Sequence, residues 1–114
     1  MEIYWRFIID TPQPRKVEGV MKRLQTVLGE SYTVEEKGLY WKDSSKTLVL
    51  IREVIEMSIS QNWTMQLFHK LSKISNSWDM IIPNDIDEKM RDLSGVCCNS
   101  IKVAAVSWVS FMIR

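Results

Sequence analysis

His69 and the adjacent pair Cys97 and Cys98 are the side chains best suited to nucleophilic, acid–base or metal chemistry. They are few: the 114 residues include one His and two Cys. A catalytic or metal-bound imidazole needs an orienting carboxylate or further ligands close in space. His69 follows Phe68 in a helical stretch and has no such partner at a fixed spacing. A structural zinc site is tetrahedral with four protein ligands, more than one His and two neighbouring Cys supply. A reactive thiol needs a helix N-terminus or a cation to lower its pKa. Cys97 and Cys98 instead follow Gly95 at an expected helix C-terminus, where the dipole is negative. Both cysteines therefore read as packing residues and His69 as a surface or half-buried helical residue. Gly19, Gly29, Gly38 and Gly95 are scattered and make neither a P-loop nor a dinucleotide fingerprint. The expectation is a protein that is not an enzyme, with no catalytic residue, no cofactor and no metal.

What remains is charge and aromatic surface, the material of binding. Fifteen Lys and Arg against fourteen Asp and Glu leave a formal charge of +1, a weak footprint for nucleic acid or for an anionic membrane. The near balance hides two opposite patches. Between Asp79 and Asp92, the carboxylates Asp79, Asp85, Asp87, Glu88 and Asp92 face only Lys89 and Arg91. Glu35 and Glu36 form a second acidic pair. Near Pro14, Arg15, Lys16, Lys22 and Arg23 outweigh Glu18. Asp85, Asp87, Glu88 and Asp92, with Glu35 and Glu36 as a second choice, are the candidate partner-binding residues, because charge complementarity speeds and specifies association. The bland alternative is a set of solvated faces and capping carboxylates. Five Trp is a high count. Trp5 and Trp108 read as core, while Trp41, Trp63 and Trp78 fall at element ends where a ring can anchor an interface. Tyr4, Tyr40 and Trp41 could stack on bases, but they lack the flanking basic and glycine residues of an RNA-recognition signature.

These residues must be positioned by elements that the hydrophobic period reveals. Residues 2 to 10 alternate, with Ile3, Trp5, Phe7 and Ile9 on one side, which is a strand expected to be covered on most of both faces. Pro14 opens a helix in which Val17, Val20, Met21, Leu24, Val27 and Leu28 make the apolar stripe and Gly29 the cap. A strand from Tyr32 to Trp41, with a bulge expected at Gly38, turns through 42 to 46 into a strand from Thr47 to Ser58. Ser58 or Ser60 caps a helix carrying Trp63, Leu67, Phe68, Leu71 and Ile74. A short strand from Trp78 to Ile82 ends at Pro83. Asp85 and Glu88 then suggest a capping box for a helix closed by Gly95. A long strand from Ser100 to Arg114 ends the chain. The pattern predicts one α+β domain over residues 1–114: a ferredoxin-like split βαβ antiparallel sheet with an added helix and a long C-terminal strand, which could pair with the first strand or extend the sheet at an edge.

The N-terminus lacks the basic stretch and apolar run of a signal peptide. The uncharged run from Val103 to Ile113 is too short to span a bilayer as a helix. Neighbouring cysteines are a poor disulfide framework. Together these lead to the expectation of a cytoplasmic protein.

The aromatic first strand Tyr4-Trp5-Arg6-Phe7, the acidic Asp85-Ile86-Asp87-Glu88 and the closing Ser107-Trp108-Val109-Ser110-Phe111 together resemble the small immunity proteins of bacterial toxin systems, including contact-dependent growth inhibition. The resemblance implies a stoichiometric inhibitor of one cognate toxin domain, commonly a nuclease, whose basic cleft would meet the acidic surface. It implies no direct contact with nucleic acid or membrane, and a monomer or homodimer when free. The alternative is a ferredoxin-like regulatory or interaction domain that dimerises through a sheet edge, with room for a small ligand.

Overall fold

The computed structural model describes residues 2–29, 32–54, 63–86 and 90–114. Its elements run β1 (Glu2–Ile9), α1 (Pro14–Leu28), β2 (Tyr32–Tyr40), β3 (Asp43–Val54), α2 (Trp63–Ile74), β4 (Asp79–Ile81), β5 (Ser94–Cys97) and β6 (Val106–Ile113). The strands form a six-stranded antiparallel sheet in the order β2-β3-β1-β6-β5-β4. The fold is α+β.

Strand alternation decides which side is covered. Ile3, Trp5, Phe7 and Ile9 of β1 are buried, as are Val49 and Ile51 of β3 and Val109, Phe111 and Ile113 of β6. Their common face receives Val17, Val20, Leu24 and Leu28 from α1 and Leu67, Leu71 and Ile74 from α2, which complete one core cluster. Each such side chain taken from water stabilises the fold by roughly 1.5–3 kcal/mol before entropy is counted. Helix α1 begins at Pro14, whose missing N–H costs nothing there, and ends where the Gly29 N–H donates to the Gln25 carbonyl at 2.8 Å. Gly29 has φ 86°, a conformation open to glycine at little cost.

The C-terminal strand is central. β6 lies beside β1, and the short hairpin β4–β5 forms the edge beyond it. The sequence left open whether this strand pairs with the first or sits at an edge; the reason for its central place is local, since β6 buries Val109, Phe111 and Ile113 against the helices, too much apolar surface for an edge. The added helix expected after Asp85 is corrected. Asp85 and Asp92 lie in turns, Met90 and Asp92 have φ of 53° and 66°, and residues 94–97 form β5 instead. Gly95 caps nothing. It sits inside β5 opposite Phe111, where an added Cβ would lie 2.6 Å from the Phe111 ring. Phe111 in turn contacts Trp5 and Trp78, with ring centroids 5.7 and 5.5 Å away.

Smaller differences follow the same logic. The β2–β3 turn is confined to Trp41 and Lys42, and β3 begins at Asp43. The bulge in β2 falls at Glu35, while Gly38 pairs in register with Leu48. A second bulge between Ile8 and Ile9 skips Ser107, so Val106 joins the core side and Trp108 the opposite one. The capping serines Ser58 and Ser60 and the side chain of Trp63 lie outside the described residues. Among the described residues, no helix is long and apolar enough to cross a membrane.

Candidate functional site

Among the described residues, helices cover one face of the sheet and no element covers the other. Cross-strand pairing sets its side chains in rows. One row runs Arg52, Tyr4, Met112, Ser94 and Ile81, and the next Leu50, Arg6, Ser110, Val96 and Asp79. A third brings Leu48, Ile8 and Trp108 together. Most of the apolar members are half-buried by their neighbours alone, while Tyr4, Arg6, Ile81 and Asp79 are exposed. The expectation that β1 is covered on both sides, and that Trp108 is core, is therefore corrected: β1 is central in the sheet, yet its second face has no layer over it among the described residues.

The surface is hollow. A depression of about 830 Å³ spreads over Tyr4, Arg6, Leu50, Arg52, Val96, Trp108, Ser110 and Met112. A second, of about 580 Å³, continues along Arg6, Ile8, Leu48 and Trp108 to the hairpin tip at Tyr40, Trp41 and Lys42. Arg6 and Trp108 line both. Trp41 is 79% exposed, with the Lys42 ammonium 4.9 Å from its ring centroid, a cation–π distance.

A charged network fixes one side of this face. Arg52 Nη1 donates to Glu2 Oε1 at 2.8 Å and Arg52 Nε to Glu35 Oε1 at 2.6 Å, while the Tyr4 hydroxyl donates to Glu2 Oε2 at 2.6 Å. The Tyr4 hydrogen bond and then Arg52 hold the Glu2 carboxyl below its usual value. The same bond raises the Tyr4 phenol, and Glu2 and Glu35 raise Arg52. At the turn, the Ser45 hydroxyl and N–H lower Asp43. Arg6 has no ion-pair partner among the described residues.

The acidic residues proposed from sequence do not form one patch. Glu35 and Glu36 belong to β2 at one edge, and Glu35 is engaged by Arg52. Asp85 follows β4 at the opposite edge, and Asp92 sits in the turn leading into β5; both are exposed. Asp87 and Glu88 lie outside the described residues. Two of the three segments carrying the family resemblance, 4–7 and 107–111, are neighbours at the centre of the sheet. Sequence reasoning missed Arg6, Leu50 and Met112 as surface because apolar strands flanking a central one imply two-sided burial.

The residues with chemical potential are separate. His69 is exposed on α2, Cys98 is exposed, and buried Cys97 donates its thiol to the Asn99 carbonyl at 3.2 Å. Among the described residues, no group of three His, Cys, Asp or Glu is placed to hold a metal. The one buried carboxylate of the sheet, Glu53, is 3% exposed on the helix side. It accepts from Trp5 Nε1 at 3.2 Å and from the Lys70 ammonium of α2, a pairing that ties helix to sheet.

Comparison of the chain with models of known families, with curated proteins and with solved structures finds no match.

Proposed function

We propose that the chain is a protein-binding module of the immunity type, which neutralises one cognate toxin domain by stoichiometric association through the open face of its sheet. One observation carries the reading: a concave sheet face, partly apolar, with no layer over it among the described residues and crossed by Arg6 and Trp108. Contiguous exposed apolar surface rimmed by polar groups marks interaction sites. Three strand spacings of about 4.8 Å over about eight residues, and two more over about four, at about 3.3 Å per residue, outline a patch of roughly 500 Å². A standard interface buries about 800 Å² per partner, so the face supplies most of one. The immunity assignment itself rests on the resemblance of segments 4–7, 85–88 and 107–111, and a cytoplasmic site of action goes with it.

The same reading takes the fold as a ferredoxin-like unit. In it β1, α1, β2, β3 and α2 are joined by β6 rather than by the strand after α2, and the β4–β5 hairpin is an appendage. Asp79, Asp85 and Asp92 then form an acidic rim at the β4–β5 end for a basic region of the toxin, such as the margin of a nuclease cleft. Dimerisation through the β2 edge is the weaker alternative. The bulge at Glu35 and the charged Lys37, paired with Glu18 of α1 at 3.7 Å, are devices that discourage added strands.

The test is co-expression with the toxin-like product of the adjacent reading frame. The expected result is a stoichiometric complex, suppressed toxicity, and loss of both on Leu50→Glu in a protein that still folds. Full protection by Leu50→Glu would remove the open face from the reading, and failure to protect in the wild type would remove the immunity assignment.

A further inference from the structure

The partner's chemistry is written in the charge of the hollow. Among the described side chains lining its two parts, Arg6, Arg52, Arg114, Lys42 and Lys46 are cationic and only Glu35 and Asp43 are anionic. This is a local excess in a chain whose formal charge is +1. Several of these groups are already engaged. Arg52 is held between Glu2 and Glu35, Lys46 lies 3.3 Å from Asp10, and Lys42 rests over Trp41. Arg6 is different. It stands where the two depressions meet, between Leu50 and Ser110 in its row, with no carboxylate from the described residues to answer it.

We infer that the hollow receives an apolar segment of the partner protein carrying a carboxylate that pairs with Arg6. The inference rests on the protein-binding reading above and specifies its ligand. A guanidinium beside aliphatic side chains is a strong, bidentate receptor for a carboxylate once a partner excludes water. The floor, made by Leu48, Leu50, Val96 and Met112, accepts apolar side chains that alternate with the acid along an extended or helical segment. A nucleic acid fits less well. Tyr4 and Trp108, with Tyr40 and Trp41 toward the hairpin tip, could each stack on a base, but Leu48, Leu50, Val96 and Met112 lie among them, and Glu35 and Asp79 would face the phosphates. The acidic rim and the cationic hollow thus ask for a partner of the reverse pattern, basic at its margin and acidic at its centre.

Two fluorescent peptides of about ten residues, long enough to lie along the hollow at about 3.3 Å per residue, test this with the intact protein. Both carry Leu, Val and Phe at alternate positions; one has Glu between them and the other Lys. A uridylate oligomer of equal length is the third probe. Anisotropy titration is expected to favour the Glu peptide over the Lys peptide by about tenfold or more, and Arg6→Gln to reduce that ratio to about twofold or less. Arg6 is exposed and has no ion-pair partner among the described residues, so its substitution leaves the fold intact, and Arg6→Lys should restore part of the preference. Equal binding of the two peptides, no binding of the Glu peptide, or a ratio indifferent to Arg6→Gln overturns the inference. Tighter binding of the uridylate gives the hollow to nucleic acid and also overturns it. A wild-type chain that fails here but still protects against the toxin keeps its proposed function and loses only this account of the partner.

Discussion

The two faces of one sheet are built from alternate residues of the same strands, yet they have opposite fates. On the helix side, Trp5, Phe7, Phe111 and Ile113 meet α1 and α2 and are almost wholly buried. On the other side, Tyr4, Arg6, Leu50 and Met112 have no layer over them among the described residues, and Tyr4 remains 40% exposed. Polar groups follow the same division. Glu53 on the covered face is enclosed by Trp5 and Lys70, whereas Glu2 and Glu35 on the open face share Arg52 at the border with solvent. Apolar content alone therefore does not separate core from recognition surface; the presence of a covering layer does.

The comparison is broken most severely from the covered side. Phe111→Ala should cost about 3–5 kcal/mol, since its ring joins Trp5 and Trp78 across the core, and urea unfolding measures it. Lys70→Met should come next, at about 2–3 kcal/mol. It leaves the Glu53 carboxylate buried without its cation, and the usual cost of breaking a buried pair is reduced here by Lys70's partial exposure. Adding Glu53→Leu should recover most of that loss, and a double variant no more stable than the single would contradict the burial argument. Gly95→Ala, which drives a methyl into the Phe111 ring, should cost about 1–3 kcal/mol.

On the open face the order reverses. Leu50→Glu should change stability by no more than about 1 kcal/mol while weakening partner binding at least about thirtyfold. Unfolding of this variant would show that the face is structural rather than free. The smallest effect is in pH dependence. Because Tyr4 and then Arg52 lower the folded-state pKa of Glu2, the stability it contributes is present above its unfolded value and lost as pH falls through the folded one. Glu2→Gln should flatten that acid limb. It should also return the raised Tyr4 phenol toward its usual 10.0, read by ultraviolet titration.

Much of the fold was legible in the strings themselves. The alternation of Ile3, Trp5, Phe7 and Ile9 and the stripe from Val17 to Leu28 located β1 and α1 with correct inward faces, because each period is a property of one local element. The region after Asp85 misled, since carboxylates at capping-box spacing and a glycine mimic a short helix while Gly95 answers to the distant ring of Phe111. The candidate site was the least legible part. Tyr4 and Trp108 were noticed for their type, but Arg6, Leu50 and Met112 gain meaning only as cross-strand neighbours.

By itself, the sequence determined the α+β class, the two long helices, the alternation of the strands and the sparse supply of chemical groups. Those depend on periods of two and 3.6 residues and on composition. Only the tertiary structure decided that β6 takes the place beside β1, that the acidic residues at 35 and 36 stand apart from those at 85 and 92, and that the second face of β1 has no cover among the described residues. These are matters of pairing between segments far apart in the chain. A strand that is apolar on both sides carries no local sign of which side will be left without a cover.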